Sequence, residues 1–318
     1  MLAVLSSGLL LAPGAARAQT TTDFRIVSDP LFLPLKGQLY GMTSDALSMP
    51  HGDNFKAGVQ TGSFNASDNH LDQTLALGLA NRLTVRAAFG YSNNERDSTA
   101  AATGDVTTGN ASGWTDPTVS LTYRVLDEPR APLIFDLTAV YSPDVLTAKT
   151  AGGGSDGTVA RGGQTTGVSV AVGRVLKRFT VAATAEATYV GQQTTELLSN
   201  GTSTESDAHW SYDAGFATQT RFTDRISIDA GVAYGTAGNY GVANMDKGNS
   251  HTFEPPSTCS LNAALNYHLR PNRFVASLNY SYVAYTDAQS IFAKSTSDTS
   301  VENRRANVIG FRLMYTFK

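Results

Sequence analysis

The sequence predicts an all-β chain that folds as a transmembrane antiparallel up-and-down β-barrel of about 12 strands. Segments near the roughly 9 to 11 residues that a tilted strand needs to cross a bilayer alternate apolar and polar residues along most of the chain. Short links between these segments alternate with long polar loops. The third observation is that five segments each end on a tyrosine. These tyrosines are Tyr91, Tyr141, Tyr189, Tyr234 and Tyr282.

Residues 1–18 have the features of a secretory signal peptide. The segment MLAVLSSGLLLAPGAARAQ contains an apolar run, a Pro-Gly break and the small-x-small pattern Ala16-Arg17-Ala18 before Gln19. No later stretch reaches the roughly 18 to 20 continuous apolar residues of a transmembrane helix. We therefore expect export without a helical membrane anchor, and the strand pattern then predicts the bacterial outer membrane as the location.

Residues 19–36 form a separate segment before the first predicted strand. Its sequence DFRIVSDPLFLPLKG, residues 23–37, places apolar residues between Pro30 and Pro34. Proline cannot donate to a β-ladder, so these residues are not an ordinary strand. We predict a periplasmic segment that lies in or under the mouth of the barrel as a partial plug, and the alternative is a disordered leader.

The predicted barrel occupies residues 37–318, and the run LTVRAAFGY shows its pattern. From Leu83 to Tyr91 every second residue is apolar and points one way, whereas Thr84 and Arg86 point the other way. The same split recurs in residues 117–125, 133–141, 179–189, 209–222, 226–234, 259–269, 274–282 and 308–318, with further candidates at 37–46, 69–79 and 165–174.

Aromatic residues mark the two ends of these strands. The five tyrosines named above fall at one height and are joined by Trp210, which indicates an outer girdle, because tyrosine and tryptophan prefer the membrane interface. A second set indicates the inner girdle: Tyr123, Phe179, Phe222, Tyr267, Phe274 and Phe317. A soluble β-sandwich is the alternative, but it has no need of two matched aromatic belts.

The connections predict the orientation of the barrel. Short links occur at residues 80–82, 126–131, 176–178, 223–225 and 270–272, and long polar loops at about 93–113, 142–163, 190–207, 235–257 and 283–304. Outer-membrane barrels have short periplasmic turns and long extracellular loops. Closure of the barrel requires the first strand to pair with the last, because an open sheet edge is not tolerated in lipid.

One part of the chain resembles a known family. The runs LALGLANRLTVRAAFGYS, GWTDPTVSLTYRVLDE and LIFDLTAVYSPD, within residues 70–145, are similar to the proteobacterial outer-membrane family labelled as phenol-degradation meta-pathway proteins. That family combines a turn of this type with a G-x-x-D strand, a YR turn and a Pro-containing loop. The resemblance implies an outer-membrane barrel that moves aromatic or other small organic compounds.

The inward faces carry the residues that could select a solute. Arginines alternate there with acids among Thr, Ser, Asn and Gly, and they could either contact passing solutes or brace the wall as ion pairs. These lumen candidates are Arg86, Arg124, Asp136, Glu186, Asp213, Arg221, Asp229 and Arg312. We expect Arg221 and Asp229 to approach each other across one hairpin.

The sequence does not indicate an enzyme. His209 and Ser211 share one strand face, similar to the His-x-Ser pair of a lipid A deacylase, but they face the lumen, whereas a lipid hydrolase acts at the bilayer surface. The other histidines have no metal-ligand spacing. The single cysteine, Cys259, excludes an internal disulfide. We predict no catalytic residue, no metal and no cofactor.

These observations together favour an outer-membrane channel or transporter for small organic, including aromatic, solutes. The alternative is a non-conducting surface or structural barrel whose extracellular loops bind a ligand. The formal net charge of −3 and the lack of a basic run argue against nucleic acid as a partner. The expected partners are outer-membrane lipid and lipopolysaccharide, the barrel-assembly machinery and the solutes, and the expected state is a monomer.

Overall fold

The structure is a computed structural model that describes residues 27–127, 131, 133–150, 157–197, 202–244, 249–270, 273–292 and 298–317. The predicted signal peptide and residues 19–26 lie outside the described residues. The described part of the chain contains the following strands. They are β1 (Leu39–Lys56), β2 (Val59–Ala80), β3 (Leu83–Ala100), β4 (Val106–Trp114), β5 (Thr118–Leu126), β6 (Ile134–Ser142), β7 (Ala148–Thr150), β8 (Thr165–Leu176), β9 (Phe179–Val190), β10 (Gln193–Leu197), β11 (Thr202–Ser206), β12 (His209–Arg221), β13 (Ile226–Ala237), β14 (Tyr240–Asn244), β15 (Asn249–Glu254), β16 (Thr258–Arg270), β17 (Phe274–Tyr285), β18 (Ala288–Phe292) and β19 (Thr299–Phe317).

Twelve long strands close into an antiparallel barrel, which confirms the predicted fold class. The circuit runs β1, β2, β3, β5, β6, β8, β9, β12, β13, β16, β17, β19. Strand β19 then pairs with β1 from Leu39 opposite Phe317 to Lys56 opposite Thr299. This closure leaves no edge strand in the wall, as lipid requires.

The outer and inner faces of the wall follow the predicted alternation. Along β3, Leu83, Phe89 and Tyr91 point outward, whereas Thr84 and Ser92 are buried on the inside. Residues of both aromatic girdles are exposed on the outside, including Tyr141, Tyr234, Phe222 and Phe317 among others. An exposed apolar band between two aromatic belts fits a lipid environment. Trp114, at the end of β4, joins the outer girdle beside Phe89 and Tyr91.

The extracellular connections contain strands that the sequence pattern did not predict. Strands β1 and β2 extend far past the predicted 37–46 and 69–79 and meet in a tight turn at Ala57 and Gly58, both with positive φ. Strands β4, β7, β10, β11, β14, β15 and β18 continue the same sheet outward. We call this continuation, together with the parts of β1, β2, β3, β17 and β19 that extend past the outer girdle, the extracellular tier. Outside the membrane a strand needs no apolar face, so the period-2 signal disappears there.

Candidate functional site: the barrel lumen

The N-terminal segment, residues 27–38, lies inside the periplasmic half of the barrel. Val27 and Leu31 have no exposed surface, and Phe32 packs with Tyr40 and Val275. Three wall side chains hold the segment by hydrogen bonds. Arg124 Nη2 donates to Leu31 O at 3.2 Å, Thr180 Oγ1 donates to Asp29 Oδ2 at 2.9 Å, and Gln219 Nε2 donates to Ser28 O at 2.9 Å.

Two glycines of the wall make room for this segment. A Cβ at Gly78 would lie 2.0 Å from Leu35 O and 2.6 Å from Pro34 O. A Cβ at Gly173 would lie 2.7 Å from Leu31 Cδ1, as well as close to the neighbouring strand. The backbone of the segment also bonds to the wall, with Gly37 N donating to Gly78 O at 2.7 Å. The wall and the segment are therefore complementary in shape.

The structure brings two of the lumen candidates together as an ion pair. Arg124 Nε donates to Asp136 Oδ1 at 2.9 Å, and Nη2 contacts Asp136 Oδ2 at 3.3 Å. Arg124 Nη1 lies 3.6 Å from Asp127 Oδ1. Arg124 and Asp136 are both almost wholly buried, with exposures of 0% and 1%. This bidentate pair braces the wall and at the same time holds the N-terminal segment.

The expected approach of Arg221 to Asp229 is replaced by another pairing. In the register of β12 and β13, Asp229 stands opposite Gln219, and Arg221 stands opposite Ser227. Gln219 Nε2 donates to Asp229 Oδ1 at 2.8 Å, and the same amide bonds to Ser28. Gln219 and Arg221 lie two residues apart on the same face of β12. The register of the β12–β13 hairpin therefore decides which of them stands opposite Asp229.

A buried polar network continues from this point around the periplasmic half. Ser227 Oγ and His268 Nε2 lie 3.0 Å apart, and Asn266 Nδ2 donates to Ser227 Oγ at 3.2 Å. Ser277 Oγ donates to Asn266 Oδ1. The periplasmic half of the lumen is thus filled by side chains and by the N-terminal segment.

The remaining lumen candidates occupy other positions on the inner face. Glu186 and Asp213 stand opposite each other on β9 and β12, and both are partly exposed. Arg312 Nη2 donates to Asn279 Oδ1 at 2.8 Å. Arg86 lies opposite Ala76 and interacts electrostatically with Tyr40. Glu186 and Asp213 are partly exposed, whereas Arg124, Asp136 and His268 nearer the periplasmic end are buried, so the lumen is more open around the first two residues.

His209 and Ser211 make separate contacts. The His209 ring stacks on Tyr240 with centroids 4.1 Å apart, and its Nδ1 lies 3.2 Å from Asp207 O. Ser211 Oγ donates to Thr188 O at 3.5 Å. A nucleophile would need a hydrogen bond to its base and a carboxylate that orients the base, and these contacts supply neither.

A cluster of side chains in the extracellular tier was not predicted from the sequence. Arg96 and Arg304 point inward there, with their guanidinium carbons 4.0 Å from the Phe64 ring centroid and 4.2 Å from the Tyr285 ring centroid. Burial lowers the pKa of both guanidinium groups, and the charge of Arg304 lowers the pKa of Arg96 further. Their segments, 93–113 and 283–304, were predicted as loops, for which a strand parity cannot be assigned.

Within the described residues, His, Cys, Asp and Glu side chains do not gather in a group of three that could hold a metal ion. The part of the chain that the structure describes contains no helix long and apolar enough to cross a membrane.

Known structures similar to this chain are bacterial outer-membrane barrels. An outer membrane channel from Pseudomonas putida F1 matches with a TM-score of 0.59 at 15% identity, covering 94% of this chain and 100% of that chain. The transport unit of the autotransporter AIDA-I from Escherichia coli matches with a TM-score of 0.52 at 11% identity, covering 89% and 91%. No protein-family model and no curated protein matches the sequence. These matches confirm the barrel fold. The exposed apolar band between two aromatic girdles is consistent with the predicted outer-membrane location.

Proposed function

We propose that the protein is an outer-membrane channel for small organic solutes, and that its N-terminal segment narrows the periplasmic exit. The observation that carries the proposal is the division of the lumen into two parts. The extracellular half is polar and open enough to leave Glu186 and Asp213 partly exposed, whereas the periplasmic half is filled around residues 27–38. A solute would enter from outside and pass the segment at the lower end.

Aromatic acids are the solute class that we favour. The lumen offers arginine side chains, which pair with carboxylates and stack on aromatic rings. The similarity of residues 70–145 to the phenol-degradation family supports an aromatic substrate. The matched Pseudomonas putida protein is an outer membrane channel, which supports a conducting barrel.

Reconstitution tests this proposal. Purified folded protein in planar lipid bilayers should give discrete conductance steps, and liposomes that contain it should swell in isosmotic sodium benzoate faster than empty liposomes. A folded, heat-modifiable barrel that shows neither conductance nor swelling would rule out a channel.

A non-conducting surface barrel is the second candidate function. The observation that favours it is the extracellular tier, in which β10, β11, β14 and β15 form a continuous sheet above the membrane. Such a rigid rim is a suitable platform for a ligand outside the cell. The reconstitution experiment separates the two candidates, since only a channel conducts.

A further inference from the structure

Two arginines meet inside the extracellular tier. Arg96 lies on β3, past Tyr91 of the outer girdle, and Arg304 lies on β19, where its exposure is 6%. Arg304 is close enough to act electrostatically on Arg96. Each guanidinium covers one aromatic ring, Phe64 or Tyr285, so one face of each cation is already occupied.

Among the described residues, three donor nitrogens on the edges of these guanidinium groups have no acceptor. Arg96 Nε, Arg304 Nε and Arg304 Nη2 are buried without a hydrogen-bond partner, and in the described part of the chain neither arginine forms an ion pair. Asp68, whose charge acts on Tyr285, accepts from Ser92 Oγ at 2.6 Å, and Glu302, two residues before Arg304 on β19, accepts from Ser300 Oγ at 2.9 Å. Buried charged donors are normally satisfied, because leaving them without a partner is costly.

The local backbone is arranged to hold this pair. A β-bulge at Asn303, with φ of 54°, interrupts the register of β1 and β19 so that both Val301 and Arg304 turn inward. Gly52 leaves space beside Phe64, since a Cβ there would lie 2.9 Å from Phe64 Cε1. Phe64, Ala288 and Val301 form an apolar cluster beside the arginines. The donor edges of Arg96 and Arg304 therefore lie beside an apolar surface.

We propose that Arg96, Arg304, Phe64 and Tyr285 form a binding site for a small aromatic carboxylate on its way into the lumen. The carboxylate would accept the parallel Nε and Nη2 donors of Arg304 and the Nε donor of Arg96, and its ring would pack on the apolar cluster. This inference specifies the solute class of the proposed channel and rests on that proposed function. Binding to the site can nevertheless be measured without conduction.

Equilibrium dialysis tests the site directly. Radiolabelled benzoate is dialysed against folded protein in lipid nanodiscs, with empty nanodiscs as the blank. We expect saturable binding that weakens about ten-fold in Arg96→Gln and in Arg304→Gln, because each loses charge-assisted hydrogen bonds. Arg304→Lys keeps the charge but loses the two parallel donors, so it should weaken binding as well.

Arg305→Gln is the matched control. Arg305 is the next residue on β19, faces outward and contacts His51, so its loss removes the same charge outside the lumen. Benzoate binding to this variant should stay within about two-fold of the wild type. The heat-modifiable mobility of every variant on gels confirms that it is folded, and Arg304→Lys provides the test if a glutamine variant does not fold.

Three results would overturn the site: no saturable benzoate binding, equal affinity in the folded Arg304 variants and wild type, or inorganic phosphate binding as tightly as benzoate. The last result would mean a general anion site. Planar-bilayer conductance is measured on the same preparations. Conductance without benzoate binding overturns the site and leaves the channel, whereas binding without conductance supports the site and overturns the channel.

Discussion

At the scale of single residues, the bidentate pair of Arg124 and Asp136 is an almost wholly buried ion pair in the lumen. Asp136→Ala leaves the Arg124 charge buried with only part of its partners, so we expect a loss of about 3–5 kcal/mol in the free energy of unfolding. Urea titration of the barrel in lipid vesicles, followed by tryptophan fluorescence, measures this loss.

The double variant Arg124→Met with Asp136→Leu is the control for this prediction. It removes both charges and keeps the space filled, so it should recover part of the stability that Asp136→Ala loses. The rest is the cost of taking the buried Asp127 carboxylate away from Arg124. If the double variant loses as much stability as the single variant or more, removal of the Arg124 charge brings no relief and the prediction is wrong.

Asp116 is another buried acid with a structural role. Its Oδ1 accepts from the amides of Val145 and Leu146 at 3.2 and 3.1 Å, and its Oδ2 accepts from the amide of Arg161 at 2.9 Å. Asp116→Ala leaves three backbone donors without their acceptor. These donors are only partly buried, so each costs less than the about 1–3 kcal/mol of a fully buried group. We expect trypsin to cleave the connection between β6 and β8, at Lys149 or Arg161, about ten-fold faster in this variant than in the wild type. A time course on gels measures the rate.

Two further variants grade this effect. Asp116→Asn retains one acceptor oxygen and should give an intermediate rate of cleavage. Asp144→Ala removes an exposed acid from the same connection and should not change the rate. Equal protection in Asp116→Ala and wild type would show that the connection is held by other contacts.

Asp116 also illustrates what the sequence could predict. The motif GWTD, residues 113–116, comes directly before the predicted strand 117–125, and that strand follows from the pattern. The role of Asp116 does not, because its three donors lie 29 to 45 residues further along the chain. A local pattern indicates a strand but carries no information about a partner that the fold brings close.

At the scale of elements, the alternation of apolar and polar residues was sufficient to predict the strands and their faces inside the membrane. It was not sufficient for the strands above the membrane. Residues 83–91 and 179–189 have one face against lipid, so their period of two is visible. Above the girdle both faces meet water or the polar lumen, and Arg96 and Arg304 were therefore not recognised as inward-facing. Strand parity continued past Tyr91 would have placed Arg96 correctly.

The outer face of β9 gives a prediction for this scale. Ala183 is exposed between Phe179 and Tyr189 of the two girdles, and Thr184 faces the lumen. Ala183→Arg places a charge in the middle of the bilayer at a cost of about 2–4 kcal/mol, whereas Thr184→Arg places it in the polar lumen. We expect the first variant to yield much less heat-modifiable, folded protein.

The comparison between the neighbouring positions is its own control, because both variants add the same side chain to the same strand. Equal losses of folded protein at Ala183 and Thr184 would contradict the assignment of the two faces. Urea titration in vesicles of different thickness would then show whether β9 is in contact with lipid at all.

At the scale of the whole molecule, the barrel combines a filled periplasmic half, a more open polar middle and an extracellular tier. The number of strands and the closure of β1 on β19 followed from the sequence, since lipid allows no open edge. The register of the strands did not follow from the sequence. The register places Asp229 opposite Gln219, whose side-chain amide also bonds to Ser28. Contacts of this kind depend on all twelve strands at once.

The N-terminal segment gives the last prediction. Deletion of residues 20–34 removes most of this segment, including Leu31 and Phe32, from the periplasmic half. It also removes the oxygen atoms that accept hydrogen bonds from Arg124, Thr180 and Gln219. Because conductance rises with the open cross-section of a barrel, we expect single-channel conductance in planar bilayers to increase at least about two-fold. An unchanged conductance would mean that the segment does not limit the passage.

A point substitution separates the position of the segment from its presence. Gly78→Ala puts a Cβ where Leu35 O now lies, so the segment must move while the chain keeps its full length. Its conductance should fall between those of the wild type and the deletion. Gly109→Ala, on β4 with open space around its Cα, is the matched control and should conduct like the wild type. If Gly78→Ala also conducts like the wild type while the deletion conducts more, then the close fit at Gly78 does not hold the segment in the passage, and its anchors are the hydrogen bonds of Arg124, Thr180 and Gln219.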